Sequence, residues 1–305
     1  MSLYRKHRPM ALRTFMGNDA TVATLTGLLD KPSRPHFLMF TGPTGCGKTT
    51  LARIVAKELK CSAVDLQELN VADFRGIDTS RDIIARARLL PVGGDVKVWI
   101  FNECHMLTKE AQNALLVVLE DTPAHVYFLF TTTDPQKLIP AIRNRATALG
   151  VTLLKDDAIT TLLERVCKRE RVTNLSDTLK GLIVEYSLGS PRMALILLEK
   201  AIGAEEGTGE EGIKQIIQER AEAIKLCRAL LKKEPWGRVA IILKNLDEDP
   251  ERIRRAVIGY MRSTLLGSKK ENSQAFLIAD IFARAPFYEL GRDALILACY
   301  EAVYG

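Results

Sequence analysis

Gly42-Pro43-Thr44-Gly45-Cys46-Gly47-Lys48-Thr49 separates an apolar segment from a helix-like one. The stretch fits the pattern GxxxxGK[ST]. Its glycines let backbone N–H groups turn inward and surround phosphate oxygens. Lys48 is placed for the β- and γ-phosphates and the Thr49 hydroxyl for Mg²⁺. Before the loop, Phe37-Leu38-Met39-Phe40 reads as a short buried strand. After it, Leu51 to Leu59 has helical apolar spacing. Strand, loop and helix in that order are the context a phosphate loop requires, and a chance glycine-rich turn lacks it.

Working outward, Lys97 to Phe101 and Val126 to Phe130 are further short apolar runs. Bounded runs of this kind between helices read as buried parallel strands, so an α/β sheet covered on both faces is expected. The run Val98-Trp99-Ile100-Phe101 ends in Asn102-Glu103-Cys104-His105. In a phosphate-loop enzyme this strand end carries a residue for Mg²⁺ and a carboxylate that polarises the attacking water, usually as Asp-Glu. Here Asn102 takes the first position: it can accept a hydrogen bond but carries no charge. Glu103 is the candidate general base; the plainer reading is a cap for the next helix.

Strand signals stop after about Val151. Ala158 to Glu170, Leu175 to Ser187 and Pro191 to Ile202 read as helices. The segment 204–212 is acidic and glycine-rich, as a linker or exposed loop is. Beyond it, Ile213 to Leu231, Trp236 to Leu246, Ile253 to Leu266, Ala275 to Ala283 and Arg292 to Tyr304 are all helical in spacing. The expected parts are an α/β domain over 1–153, a helical lid over 154–204, a linker over 205–212 and a helical domain over 213–305.

With 305 residues, 47% hydrophobic and 26% charged, the chain has the composition of a globular protein of two or three domains. A net charge of +6 suits a nucleic-acid partner without establishing one. The six cysteines make no CxxC pair and no metal-ligand spacing with the four histidines, which fits a reducing cytoplasm. No apolar run approaches membrane-spanning length.

Several motifs together carry a specific resemblance. They are Tyr4-Arg5-Lys6-His7-Arg8-Pro9, then Met16-Gly17, the phosphate loop, and Asn102-Glu103-Cys104-His105-Met106-Leu107. In this order they resemble the AAA+ clamp-loader ATPases: the bacterial DNA polymerase III gamma/tau subunit and the small subunits of replication factor C. Phe74-Arg75-Gly76-Ile77-Asp78-Thr79-Ser80-Arg81 is closer to replication factor C. Thr108 to Leu116 and Thr132-Thr133-Asp134-Pro135-Gln136-Lys137 are closer to the bacterial subunit. The resemblance covers about the first two thirds of the chain. The zinc-binding cysteine cluster of the bacterial subunit is absent between Cys61 and Asn70, and the chain ends after one helical domain. Both features suit a compact loader of archaeal or phage type.

The resemblance implies an AAA+ domain with a helical lid, then an all-α collar that joins subunits, in a pentamer with at least one distinct partner. It implies ATP and Mg²⁺ as cofactors. The partners implied are a sliding clamp, primer-template DNA and sister subunits, in the cytoplasm of the cell or of a viral host. Tyr4, Arg8, Pro9, Met16 and Gly17 match the segment around the adenine. Thr44, Gly45, Cys46, Gly47, Lys48, Thr49 and Thr50 match the phosphate site, with Thr49 and Asn102 toward the metal. Thr133 matches the sensor that reads the γ-phosphate, with Thr132 the alternative if the register shifts by one. Arg145 matches the arginine of a Ser-Arg-Cys motif, a finger into a neighbour's ATP site; Arg143 competes for the role. Arg192, beside Pro191 at a helix start, matches the second sensor.

Arg75, Thr79 and Arg81 lie where the family faces DNA, through backbone phosphate rather than base edges. Without the resemblance, a solvated basic helix face is the better reading. Two further functions stand beside clamp loading. One is an arm of the same loader that binds ATP but hydrolyses it poorly, motivated by Asn102. The other is a different AAA+ DNA motor, such as a Holliday-junction helicase, though no winged-helix domain is evident at the C-terminus.

Overall fold

The computed structural model describes residues 1–71, 77–172, 175–203, 223–246, 249–267 and 271–305. They form two compact units, Met1–Ile202 and Gly203–Gly305.

The first unit is built on five strands: β1 (Phe37–Thr41), β2 (Leu66–Asn70), β3 (Lys97–Asn102), β4 (Val126–Thr132) and β5 (Thr147–Gly150). They lie in the order β2-β3-β4-β1-β5, and every pairing is parallel. Successive side chains of a strand point to opposite faces, so each apolar run serves two cores at once. Phe37, Met39, Trp99, Phe101, Phe128 and Phe130 pack on one face. Helices α4 (Ile77–Ala87), α5 (Lys109–Glu120) and α6 (Pro140–Arg145) supply Ile83, Leu115 and Ile142 to it. Leu38, Phe40, Val98, Ile100 and Leu129 pack on the other. There α2 (Asp19–Leu29) contributes Leu25, and α3 (Lys48–Glu58) contributes Leu51, Ala52 and Val55. The α/β sheet with helices on both faces is thus present as expected.

The register fixes the site. Thr41 at the end of β1 pairs with Thr132 at the end of β4, and Asn70 of β2 pairs with Asn102 of β3. These carboxyl ends lie side by side, where open parallel sheets bind ligands. A short N-terminal helix, α1 (Leu3–Lys6), and the helices α7 (Asp156–Glu170), α8 (Asp177–Ser187) and α9 (Pro191–Gly203) complete the unit. Pro191 opens α9, where its missing N–H costs no helical hydrogen bond. The Ser190 hydroxyl accepts from Met193 N at 3.3 Å and caps that first turn.

The second unit is helical. It comprises α10 (223–231), α11 (Trp236–Asn245), α12 (Pro250–Gly267), α13 (Ser273–Arg284), α14 (Phe287–Leu290) and α15 (Arg292–Tyr304). Val239, Ile253, Val257, Met261, Ile278, Phe282 and Ala298 form its core. Gln274 donates to Leu230 O and Ala302 O at 3.1 and 2.9 Å, tying α10, α13 and α15 together. The expected linker over 205–212 and the first turns of the Ile213 helix lie outside the described residues. Among the described residues, no helix is long and apolar enough to cross a membrane.

Candidate functional site

The phosphate loop runs from the end of β1 into α3. Gly42 has φ 147°, and a Cβ there would lie 1.9 Å from Val151 O, so only glycine fits this crossing between β1 and the end of β5. Gly45 has φ 80°, and its Cβ would lie 2.3 Å from Ser190 Oγ at the start of α9. The loop therefore touches the helical part of the unit through an atom pair that leaves no room for a side chain.

Lys48 opens α3 and is 5% exposed. Its ammonium donates to Gly42 O and Pro43 O, both at 2.8 Å. Burial pushes its pKa below the usual 10.5. A buried cation held by neutral carbonyls inside its own loop is arranged to receive an anion.

The Thr49 hydroxyl, one residue on, donates to Asn102 Oδ1 at 2.7 Å. Thr131 of β4 donates to the same oxygen at 3.2 Å. The two residues expected to face the metal thus meet directly. Hydroxyl and amide oxygens are the hard donors Mg²⁺ takes, usually alongside retained water and phosphate, so the residues present fit the ion.

Glu103 follows β3 in the left-handed region, with φ 54° and ψ 45°. That conformation is rare away from glycine and clusters at functional sites. It turns the carboxylate off the strand line toward the loop mouth. Thr133 Oγ1 donates to Glu103 Oε2 at 3.3 Å. His105 Nδ1 lies 3.5 Å from the same oxygen, and burial lowers the imidazole pKa below 6.5. The neighbour is therefore a neutral ring at neutral pH, which leaves the carboxylate without a strong cationic clamp there. Thr132, the alternative to Thr133, is buried inside β4, within 3.1 Å of His105 Nδ1 and accepting from Asp134 N.

A cavity of about 390 Å³ opens over the loop. Of the residues expected at a nucleotide, Tyr4, Arg8, Pro9, Met16, Thr44, Gly45, Cys46, Gly47, Lys48, Thr49, Thr50, Glu103 and Arg192 all line it. The Arg192 guanidinium also lies 5.9 Å over the Tyr4 ring. Gly17 does not line it: its left-handed backbone packs against Leu154, whose Cδ2 a Cβ would meet at 2.5 Å. Thr133 and Arg145 are likewise outside its lining. Arg145 is exposed at the end of α6, hydrogen-bonded to Ala141 O at 3.0 Å and paired with Glu120 of α5. Arg143 pairs with Gln136. Arg81 is exposed on α4. Arg75 and the Thr79 side chain lie outside the described residues.

Sequence reasoning missed His7, Phe15, Arg165 and Arg169, which also line the cavity. Glu170, the next residue of α7, holds Lys6 at 2.7 Å and His7 at 2.5 Å, which fastens the N-terminal arm to that helix. The signal available was the i, i+4 spacing of Arg165 and Arg169, which puts both guanidinium groups on one helix face.

The sequence profile of the ATPase family associated with various cellular activities (AAA) matches residues 38–151, the segment from β1 through the end of β5. The chain belongs to the AAA family. It is 34% identical over 231 residues to the DNA polymerase III subunit gamma/tau of Mycobacterium tuberculosis, covering 68% of this chain and 40% of that one. It is 32% identical over 226 residues to the tau subunit of Escherichia coli, covering 67% of this chain and 35% of that one. The tau subunit of Bacillus subtilis aligns at 27% identity with 99% of this AAA chain, and with 58% of its own length. The chain thus spans less than two thirds of each of these relatives. Among solved structures, the Thermotoga maritima RuvB Holliday junction branch migration motor superposes with a TM-score of 0.60. It is 20% identical, and the match covers 73% of this chain and 79% of that one. That likeness is one of fold.

Gly45→Ala is expected to weaken nucleotide binding about tenfold, because a left-handed non-glycine residue costs roughly 1–2 kcal/mol. The overlap with Ser190 Oγ adds to that strain. Removing the hydroxyl in Gly45→Ala/Ser190→Ala is expected to recover part of the loss in a calorimetric titration. A double variant as weak as the single one would show that the loop–α9 contact is irrelevant to binding.

Proposed function

We propose that this AAA chain is an ATP-driven subunit of a sliding-clamp loader, which opens a ring-shaped clamp and closes it around primed DNA. The observation that carries the reading is the single cavity joining the phosphate loop, Glu103 and Arg192 to the N-terminal arm, with Arg145 displayed elsewhere on the surface. Such a division suits a site finished by a neighbouring subunit. The identity to gamma/tau subunits across two thirds of the chain supports the same reading.

In this proposal, residues 1–153 bind ATP, 154–204 act as the lid, 205–212 link, and 213–305 form the collar of a pentameric assembly. Lys48 and the loop N–H groups hold the phosphates. The Thr49 hydroxyl and Asn102 Oδ1 would hold Mg²⁺, which would supply positive charge against the phosphates. Glu103 accepts the proton of the attacking water, and Thr133 keeps that carboxylate aimed. Arg192 connects the position of α9 to the γ-phosphate. ATP binding favours the assembled spiral that grips an open clamp, and hydrolysis releases it. Arg81, with Arg75 and Thr79, faces the DNA backbone. The competing reading, an arm that binds ATP without turning it over, draws on the uncharged Asn102.

The test combines the chain, its sister subunits, the clamp and primed DNA. ATP turnover stimulated by clamp and DNA together, with clamp retained on circular DNA, is expected. Arg81→Ala is expected to lower DNA stimulation, with the salt slope of DNA binding reduced by about one, while leaving basal ATP binding intact. A chain that binds ATP but shows no response to clamp and DNA would overturn the proposal.

A further inference from the structure

A closed ring of hydrogen bonds lies behind the phosphate loop. Thr49 Oγ1 of α3 donates to Asn102 Oδ1 of β3 at 2.7 Å. Asn102 Nδ2 donates to Glu68 Oε1 of β2 at 2.7 Å. Arg53 Nε and Nη2 donate to the two Glu68 oxygens at 2.7 and 2.8 Å. Arg53 stands one turn beyond Thr49 on α3, so the ring returns to the helix where it began. Sheet pairing fixes its other side, since Glu68 at the middle of β2 is in register with Ile100, two residues before Asn102 on the adjacent parallel strand β3.

The ring settles a choice that asparagine leaves open. A carboxylate offers an acceptor oxygen whichever way it turns, but an amide offers an oxygen on one side and two N–H donors on the other. The Thr49 and Thr131 hydroxyls cannot decide between them, because a hydroxyl both donates and accepts. Glu68 can. An ionised carboxylate only accepts, so turning the amide over would set Asn102 Oδ1 against Glu68 Oε1, acceptor facing acceptor. Glu68 therefore keeps the amide oxygen toward Thr49 and the N–H groups away from it. Arg53 holds Glu68 through a two-point, charge-assisted contact that fixes its plane.

We propose that Glu68, held by Arg53, is a positioning residue for a divalent cation at the phosphate loop: it aims and polarises the Asn102 carbonyl so that a neutral amide serves where a carboxylate is usual. The proposal rests on the nucleotide-binding reading above. It makes the Asn102 departure a compensated one. What Asn102 lacks in charge is met by direction, since the Arg53–Glu68 pair carries no net charge but fixes which side of the amide faces Thr49.

The experiment uses the full chain and titrates ATP calorimetrically, first with EDTA and then across a Mg²⁺ series. In Glu68→Gln, the Mg²⁺ concentration needed to tighten ATP binding is expected to rise roughly 10- to 100-fold, the usual effect of losing the partner that orients a metal ligand. ATP affinity in EDTA is expected to stay within about twofold, since Glu68 lies behind the metal side and not under the phosphates. The deciding arm repeats the substitution on Asn102→Asp. An aspartate needs no orienting partner, so Glu68→Gln is expected to cause no loss there; it also removes a clash of two carboxylates. Equal loss in both backgrounds would mean that Glu68 is merely structural, and no loss in either would mean that Asn102 needs no help; each overturns the proposal. Wild-type chain that binds no ATP in either condition would overturn the nucleotide reading and this inference with it.

Discussion

Replacing Lys48 by alanine is expected to cut ATP turnover by about 10²- to 10³-fold, the scale of removing one preorganised charge-stabilising donor from a closed site. Two effects combine. The ammonium is the buried cation of the loop, and its charge is worth more there than in water. Its two hydrogen bonds to Gly42 O and Pro43 O also hold the loop in its open-handed shape. Alanine removes the charge and the brace together. Folding should survive, because the core under α3 is made by Leu51, Ala52 and Val55. A thermal-unfolding midpoint near wild type, with no upward shift on adding ATP, is the expected signature. Nucleotide affinity of the wild type adds a check through pH. Burial lowers the Lys48 pKa below 10.5, so the free chain loses the cation earlier in an alkaline titration than an exposed lysine would. Affinity should therefore decline before pH 10.5 is reached. Lys48→Ala should be flat over the same range, and full turnover in that variant would remove the loop from the chemistry.

The phosphate loop was legible because its chemistry demands particular residue types at fixed spacing: glycines where the backbone closes on an anion, then lysine and threonine. The central strands were legible for a different reason. β1, β3 and β4 are buried on both faces, and each contains an unbroken apolar run: 37–40, 98–101 and 126–130. β2 and β5 escaped detection because they lie at the sheet edges and need no such run. Leu66-Gln67-Glu68-Leu69-Asn70 has three polar residues in five, and Thr147-Ala148-Leu149-Gly150 is four residues long.

The missed strand hid the missed partner. With β2 unseen, nothing placed Glu68 beside Asn102, 34 residues away, and Asn102 read simply as a lost charge. The cavity's outer wall was hidden similarly. Arg165 and Arg169 sit on α7 beside the apolar stripe Ile159, Leu162, Leu163 and Val166, and look like the wet face of any amphipathic helix. The N-terminal arm has no physical signature of its own. Tyr4, Arg8, Pro9, Met16 and Gly17 were picked by resemblance, and Gly17 proves to pack against Leu154 and not to line the cavity.

Arg145 gives the second large effect, and it is expected only in the assembly. Arg145→Ala should lower turnover of the proposed assembly by about 10³-fold or more, the range for an arginine that meets transition-state charge from a neighbour. Binding of ATP to the isolated chain should be unchanged, since Arg145 is not part of the cavity wall. In this chain the guanidinium is paired with Glu120 on the surface. An exposed ion pair of this kind is worth about 0–1 kcal/mol, whereas a 10³-fold rate effect corresponds to about 4 kcal/mol. Parting from Glu120 is therefore a small cost beside the gain at a phosphate. A mixing experiment isolates the claim. Lys48→Ala supplies an intact Arg145 but no usable pocket, and Arg145→Ala supplies an intact pocket but no finger. Each alone should be inactive, and their mixture should regain part of the wild-type rate wherever a sound pocket meets a sound Arg145 across a joint. A finger acting within its own chain could not be rescued this way, so a mixture as inactive as its components would refute the role in trans.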